Sequence, residues 1–294
     1  AGALDATGRR HSARRGPAGR AAGPRPCEAG ARESRSRKAG PETGETGAEA
    51  RAQTGDKARG PPPQRTMNAA ESASQTAPRH ARGGARPPSF VFILLDDLGW
   101  RDLGCYGSPF YETPRIDRLA AEGLRFTDAY ASCPVCSPTR ASFLTGKYPA
   151  TVGITNFIAG NAWGRLMGAP YLKALPRGEI TIAETLRRAG YRTWHVGKWH
   201  LGPKGNWPED FGFEVNRGGC HHGHPHQGYF SPYGLPTLPD GPPGEYLTDR
   251  LTDEAIRLIT GAGDAPFFLY LSHYAVHVPI QAPAALVAKY EAKA

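Results

Sequence analysis

Cys136-Ser137-Pro138-Thr139-Arg140 runs through Ala141-Ser142-Phe143-Leu144 to Thr145-Gly146. A proline two residues after the cysteine suits the first turn of a helix, where its missing N–H would have no partner. The spacing therefore places Cys136 at the mouth of a helix. Orphan backbone N–H groups there favour an anion, and Arg140 adds a fixed positive charge. Such a place takes a tetrahedral oxyanion. Asp96-Asp97 offers two adjacent carboxylates, hard oxygen ligands suited to Ca²⁺ or Mg²⁺, although Asp-Asp before Gly99 is also ordinary turn chemistry. Lys198 and His200 flank Trp199: an ammonium holds an anionic oxygen, and an imidazole moves a proton near neutral pH. As structural residues they would be an exposed lysine and a satisfied histidine in a turn.

Two further stretches carry histidine. Arg217 to Tyr229 holds His221, His222, His224 and His226 beside Cys220. Imidazoles next to a thiol suggest a transition metal. The spacing lacks a second Cys-x-x-Cys half, and the glycines and proline indicate a loop, so the favoured reading is a loop lining a substrate cleft, with His224 touching the substrate. The other stretch is Ser272-His273-Tyr274-Ala275-Val276-His277-Val278-Pro279.

The elements that must position these groups are legible. Ser89 to Leu95 is a continuous apolar run, as in a strand buried on both faces of a parallel sheet, and it ends at Asp96-Asp97, where open α/β sheets bind ligands. Glu112 to Gly123 reads as a short helix capped by Thr113, begun by Pro114 and stopped by Gly123. Thr181 and Glu184 form a capping box before a helix that stops at Gly190. Tyr191 to Val196 is a strand delivering Gly197 to Gly202. Asn156 to Pro176 has no clear period and reads as a loop over the site. Thr248 to Ile259 is an amphipathic helix, and Ala265 to Ser272 is a buried strand handing over His273 and His277.

Cys136 to Gly146 resembles the sulfatase signature Cys-x-Pro-x-Arg followed by Thr-Gly, and Asp96-Asp97, Gly197 to Gly202 and Ser272 to Pro279 follow in the family's order. The resemblance covers the chain from about Ser89 onward. It implies an alkaline phosphatase-like α/β fold with a doubly wound, mostly parallel sheet, here truncated at the C-terminus. It implies that Cys136 is oxidised by a formylglycine-generating enzyme to formylglycine, an aldehyde active as its hydrate. It further implies a divalent cation, Ca²⁺ before Mg²⁺, on Asp96, Asp97 and residue 136. Cleavage of a sulfate ester then involves Cys136, Arg140, Lys198, His200 and His277, with Lys198, His277 and His224 contacting the substrate and His273 a bystander. The second pair of metal ligands and the second lysine of the family are not matched. A phosphodiester or phosphonate hydrolase of the same superfamily is the nearest alternative. Cys133-Pro134-Val135-Cys136 also reads as a redox pair, which leaves Arg140, Thr145-Gly146 and the aspartates unexplained.

Charge divides the chain. Of the 36 Lys and Arg and 27 Asp and Glu, 17 and 8 fall before Ser89, which leaves 19 of each for Ser89 to Ala294. Residues 1–88 are rich in Ala, Gly, Arg and Pro with few large apolar side chains, so this basic segment is expected to be disordered. It binds acidic surfaces at most nonspecifically, because no folded nucleic-acid reader accompanies it; a catalytically incomplete fragment with such a tail is the reading from another class. Residues 89–294 are expected to form the catalytic domain, incomplete. Met67 is a candidate start. No secretory signal precedes or follows it, which leaves location open for a family usually exported or lysosomal. No apolar run is long enough to span a membrane.

Overall fold

The computed structural model describes residues 86–160 and 165–294. The basic segment expected to be disordered lies outside the described residues, but for Arg86 to Pro88. The remainder is built on four parallel strands, β1 (Phe90–Leu94), β2 (Arg192–Gly197), β3 (Val215–Arg217) and β4 (Phe267–Ser272), in the order β1-β4-β2-β3. Leu94 and Gly197 both pair with Ser272, so β1, β4 and β2 end level. Their carboxyl ends are laced by backbone bonds: the amides of Lys198 and His273 donate to the carbonyls of Ser272 (2.7 Å) and Leu94 (2.9 Å). Gly197 is required at this seam. Its φ is 104°, and a Cβ would lie 1.9 Å from the Ser272 carbonyl oxygen.

Of the helices, those over Ile182–Arg188 and Leu247–Thr260 pack on the sheet strands, while that over Pro114–Glu122 packs on the 3₁₀ turn Gly104–Tyr106. α1 (Pro114–Glu122) begins at a proline, as expected, but Thr113 does not cap it: its Oγ1 accepts from the Gly104 amide and donates to Asp117 Oδ1, each at 2.8 Å. α2 (Cys136–Thr145) ends in left-handed Gly146, whose amide donates to the Ser142 carbonyl. Its Phe143 stacks on Phe92 of β1 at 3.9 Å and meets Tyr270 of β4 at 5.3 Å. After the short α3 (Pro149–Val152) comes α4 (Ile182–Arg188), where Thr181 accepts from the Glu184 amide while the Glu184 carboxylate binds Arg187 and Arg188 instead of closing the box. α5 (Leu247–Thr260) lays Leu251 and Ala255 against β2 and β4, and α6 (Ala284–Glu291) follows. Trp194, Leu251 and Leu269 are buried, each worth about 1.5–3 kcal/mol relative to exposure.

One expectation is corrected. β1 is not buried on both faces but is an edge strand, with Phe90, Val91 and Ile93 exposed. An apolar run specifies a strand; its place in the sheet depends on which partners pair with it, and among the described residues β1 pairs with β4 alone.

Candidate active site

α2 brings Cys136 to the carboxyl edge of the sheet as its first residue. There the thiol meets the segment leaving β2. Cys136 Sγ lies 3.2 Å from His200 Nδ1, and His200 Nε2 lies 3.0 Å from the Ile158 carbonyl oxygen. A nitrogen facing a carbonyl must carry the hydrogen, so Nε2–H donates to Ile158 and Nδ1 offers its lone pair to the cysteine. Ser137 fixes this arrangement: its hydroxyl donates to the His200 carbonyl at 2.9 Å and accepts from the Ile158 amide at 3.0 Å. Burial, and then the Lys198 charge, push the His200 pKa down to about 3. The imidazole is therefore neutral around pH 7.

Beneath this pair lies a buried ionic trio. Asp96, Arg140 and Lys198 are 5%, 2% and 0% exposed. Lys198 Nζ donates to Asp96 Oδ2, Arg140 approaches Asp96 Oδ1 at 3.3 Å, and Arg140 also donates to the Lys198 carbonyl (3.0 Å) and to Ser272 Oγ. Burial, then Arg140, lower the Lys198 pKa. Burial opposes the Arg140 charge as well, but Tyr270, Asp96 and Cys136 outweigh it and its pKa is raised. Two cations against one carboxylate give this floor a positive bias, which favours an anion above it.

A cavity of about 550 Å³ opens over Cys136, lined by Asp97, His200, His224 and His277 and by the Phe157–Ala159 turn. Asp97, Ala159 and His200 have φ of 61°, 66° and 56°. Among the described residues these are the non-glycine residues with positive φ, and all three line this cavity; such strain gathers at functional sites. On the far wall the rings of His226 and His224 stack at 4.3 Å and those of His224 and His277 at 6.0 Å, while His222, which does not line the cavity, stacks on His226 at 4.1 Å. Burial, then the facing His226, lower the pKa of His224 and push that of His222 to about 4. His277 Nε2 stands 3.6 Å from Asp97 Oδ2.

The residues singled out from the sequence fall into separate layers. Cys136, His200, His224, His277 and Asp97 reach the cavity, and of the described part of the stretch from Asn156 to Pro176 only Phe157 to Ala159 line it, whereas Gly168 to Tyr171 and Lys173 lie at a separate pocket and Leu175 is buried in the core. Trp199 packs behind, its Nε1 donating to the Asn206 carbonyl at 2.7 Å. Arg140 and Lys198 lie under the cavity, and His273 is buried away from it. Ser137 escaped notice, because a serine in the first turn of a helix carries no signal beyond ordinary capping.

Hard carboxylate donors at Asp96 and Asp97 suit a divalent cation. They and Cys136 do not close into a cluster of three ligand atoms among the described residues. The ammonium of Lys198 holds Asp96 instead, so positive charge already stands where the ion would sit.

The parallel sheet with its site on the carboxyl edge defines an α/β protein of the alkaline phosphatase type. The chain belongs to the sulfatase family, whose model, Sulfatase, matches residues 88–294. Rat N-acetylgalactosamine-6-sulfatase is 38% identical over 232 residues, covering 69% of this chain and 42% of that protein. Human arylsulfatase A is 41% identical over 167 residues, 56% of this chain and 28% of that protein. The crystal structure of Ps i-CgsB in complex with k-i-k-neocarrahexaose superposes with a TM-score of 0.56 at 30% identity, covering 69% of this chain and 48% of that one. PsFucS1 sulfatase from Pseudoalteromonas sp. gives 0.51 at 28%, covering 66% and 45%. The chain spans less than half the length of these curated relatives and solved structures.

Proposed function

We propose that the protein hydrolyses a sulfate ester of a saccharide, using formylglycine made from Cys136 by a formylglycine-generating enzyme. The observation that carries this reading is the placement of Cys136 at the mouth of α2, against His200 Nδ1 and above the positive floor of Arg140, Asp96 and Lys198. Asp96 and Asp97, with residue 136, are by donor type the oxygen ligands of a divalent cation such as Ca²⁺, but Lys198 takes the Asp96 carboxylate and the three do not converge among the described residues, so no step is assigned to an ion.

The chain's own residues carry the steps. The helix mouth and the floor attract the sulfate group. His200 Nδ1, its tautomer set by Ile158, accepts a proton from a hydroxyl at position 136. His277, beside Asp97 on the cavity wall, stands at the leaving oxygen. Arg140 acts as a positioning residue, holding Lys198 and Asp96 in place. The imidazole wall, with His224, suits the hydroxyls and ring faces of a sugar, in keeping with the saccharide named for the rat relative.

The test is the protein co-expressed with a formylglycine-generating enzyme. The peptide containing residue 136 is expected to lose about 18 mass units as the thiol becomes an aldehyde. Sulfated saccharides are then expected to be turned over, and Cys136→Ala to abolish turnover. An unconverted thiol would overturn the reading, and faster turnover of phosphate diesters would move it to the phosphodiester hydrolases.

A further inference from the structure

The histidine-rich loop between β3 and α5 has a second face that the sulfate chemistry does not use. Cys220, His221 and His222 each bring a ligand atom to within 4.8 Å of the others, the one such group among the described residues. Cys220 is buried, and its Sγ makes only long contacts, 3.5 Å from the His222 amide and 4.0 Å from the Tyr274 hydroxyl. His222 Nδ1 is buried with no hydrogen-bond partner. A buried orphan of this kind costs about 1–3 kcal/mol, and an absent ion or water is a standard reason for one.

We infer that Cys220, His221 and His222 form a binding site for a thiophilic divalent metal ion, with Zn²⁺ as the type case, distinct from the Asp96-Asp97 carboxylates. Thiolate and imidazole donors select zinc and its neighbours, whereas the hard cations take oxygen. With Zn–S near 2.3 Å and Zn–N near 2.0 Å, tetrahedral donors lie about 3.5 Å apart, so the loop must close by about 1 Å. Gly218, with φ at 85°, and Gly219 precede the cluster and Gly223 follows it. Three protein ligands leave a fourth position for water or for His226, whose ring stacks on His222. On binding, the Cys220 thiol gives its proton to solvent. The site also adjoins the cavity: the His200 amide donates to the Cys220 carbonyl at 3.0 Å, and His221 lines the wall.

The experiment titrates the full chain with Co²⁺ and then Zn²⁺. One equivalent of Co²⁺ is expected to give a sulfur-to-cobalt charge-transfer band with tetrahedral d–d absorption, displaced by Zn²⁺ and unmoved by Ca²⁺. The band is expected to persist in Cys136→Ala and to vanish in Cys220→Ser. His221→Ala, on the exposed side of the cluster, is expected to weaken Co²⁺ binding about tenfold or more while melting at the metal-free wild-type temperature, which keeps the test open if Cys220→Ser fails to fold. Absence of a sulfur-to-cobalt band in the folded wild type would overturn the inference. So would a band lost with Cys136→Ala, or Co²⁺ affinity unchanged in His221→Ala.

Discussion

The Sγ atom of Cys136 and Nδ1 of His200 are 3.2 Å apart, and the far nitrogen of that ring is committed to the Ile158 carbonyl. The free lone pair therefore points at residue 136 whatever stands there. His200→Ala is expected to leave conversion of Cys136 intact by mass spectrometry and to slow hydrolysis roughly 100- to 10,000-fold, the range of a lost proton carrier. Unchanged turnover would remove His200 from the chemistry.

Asp96 holds two buried cations together. Removing one member of such a cluster leaves uncompensated charge in the interior, at a cost of about 3–5 kcal/mol. Asp96→Asn is expected to lower the free energy of urea unfolding by that amount in metal-free protein. A change below about 1 kcal/mol would mean that Lys198 and Arg140 find other partners and that the trio does not brace the strand ends.

Gly197 and Gly244 both have positive φ, 104° and 84°, yet only one is crowded. A Cβ at Gly197 meets the Ser272 backbone at 1.9 Å, and one at Gly244 meets nothing within 4 Å. Gly244→Ala should therefore cost only the backbone term, roughly 1–2 kcal/mol. Gly197→Ala must in addition part β2 from β4, and is expected to cost more than about 4 kcal/mol in the same unfolding measurement. Equal losses would show that the seam yields.

The parts of the site visible in the sequence are those fixed locally. Pro138 and Gly146 bracket α2 by backbone chemistry alone, so the half-buried position of Cys136 at the helix mouth follows from a few consecutive residues. The apolar runs give β1, β2 and β4 in the same way. The layer of Arg140 and Lys198 is not local: their partner Asp96 comes from another strand end, and only the register of three strands brings the charges together. Nor is strand order encoded in the composition of a strand, which is why the apolar β1 stands exposed at an edge. The histidine loop was legible as chemistry, but its division into a cavity wall and a Cys220 cluster depends on turns that no periodicity announces.

Acid sensitivity follows from three enclosed imidazoles. His195 sits among the edges of Trp199, Phe213 and Tyr270 at 5.3–5.5 Å. Burial first, and then Arg140, push its pKa from 6.5 to about 3; His200 likewise falls to about 3, and burial takes His273 to about 4. In each case the folded value lies below the unfolded one, so on acidification the unfolded chain takes up protons first. The stability these groups contribute is therefore complete above about pH 6.5 and is lost as pH falls toward 4 and then 3. Each adds a slope of at most about 1.4 kcal/mol per pH unit in that window. His195→Phe keeps the ring in an aromatic cage and removes one of the three. Urea unfolding at successive pH values between 6.5 and 4.5 is expected to show the variant losing stability less steeply, by about 1.4 kcal/mol per pH unit. A slope equal to that of the wild type would mean that His195 already carries its proton in the fold.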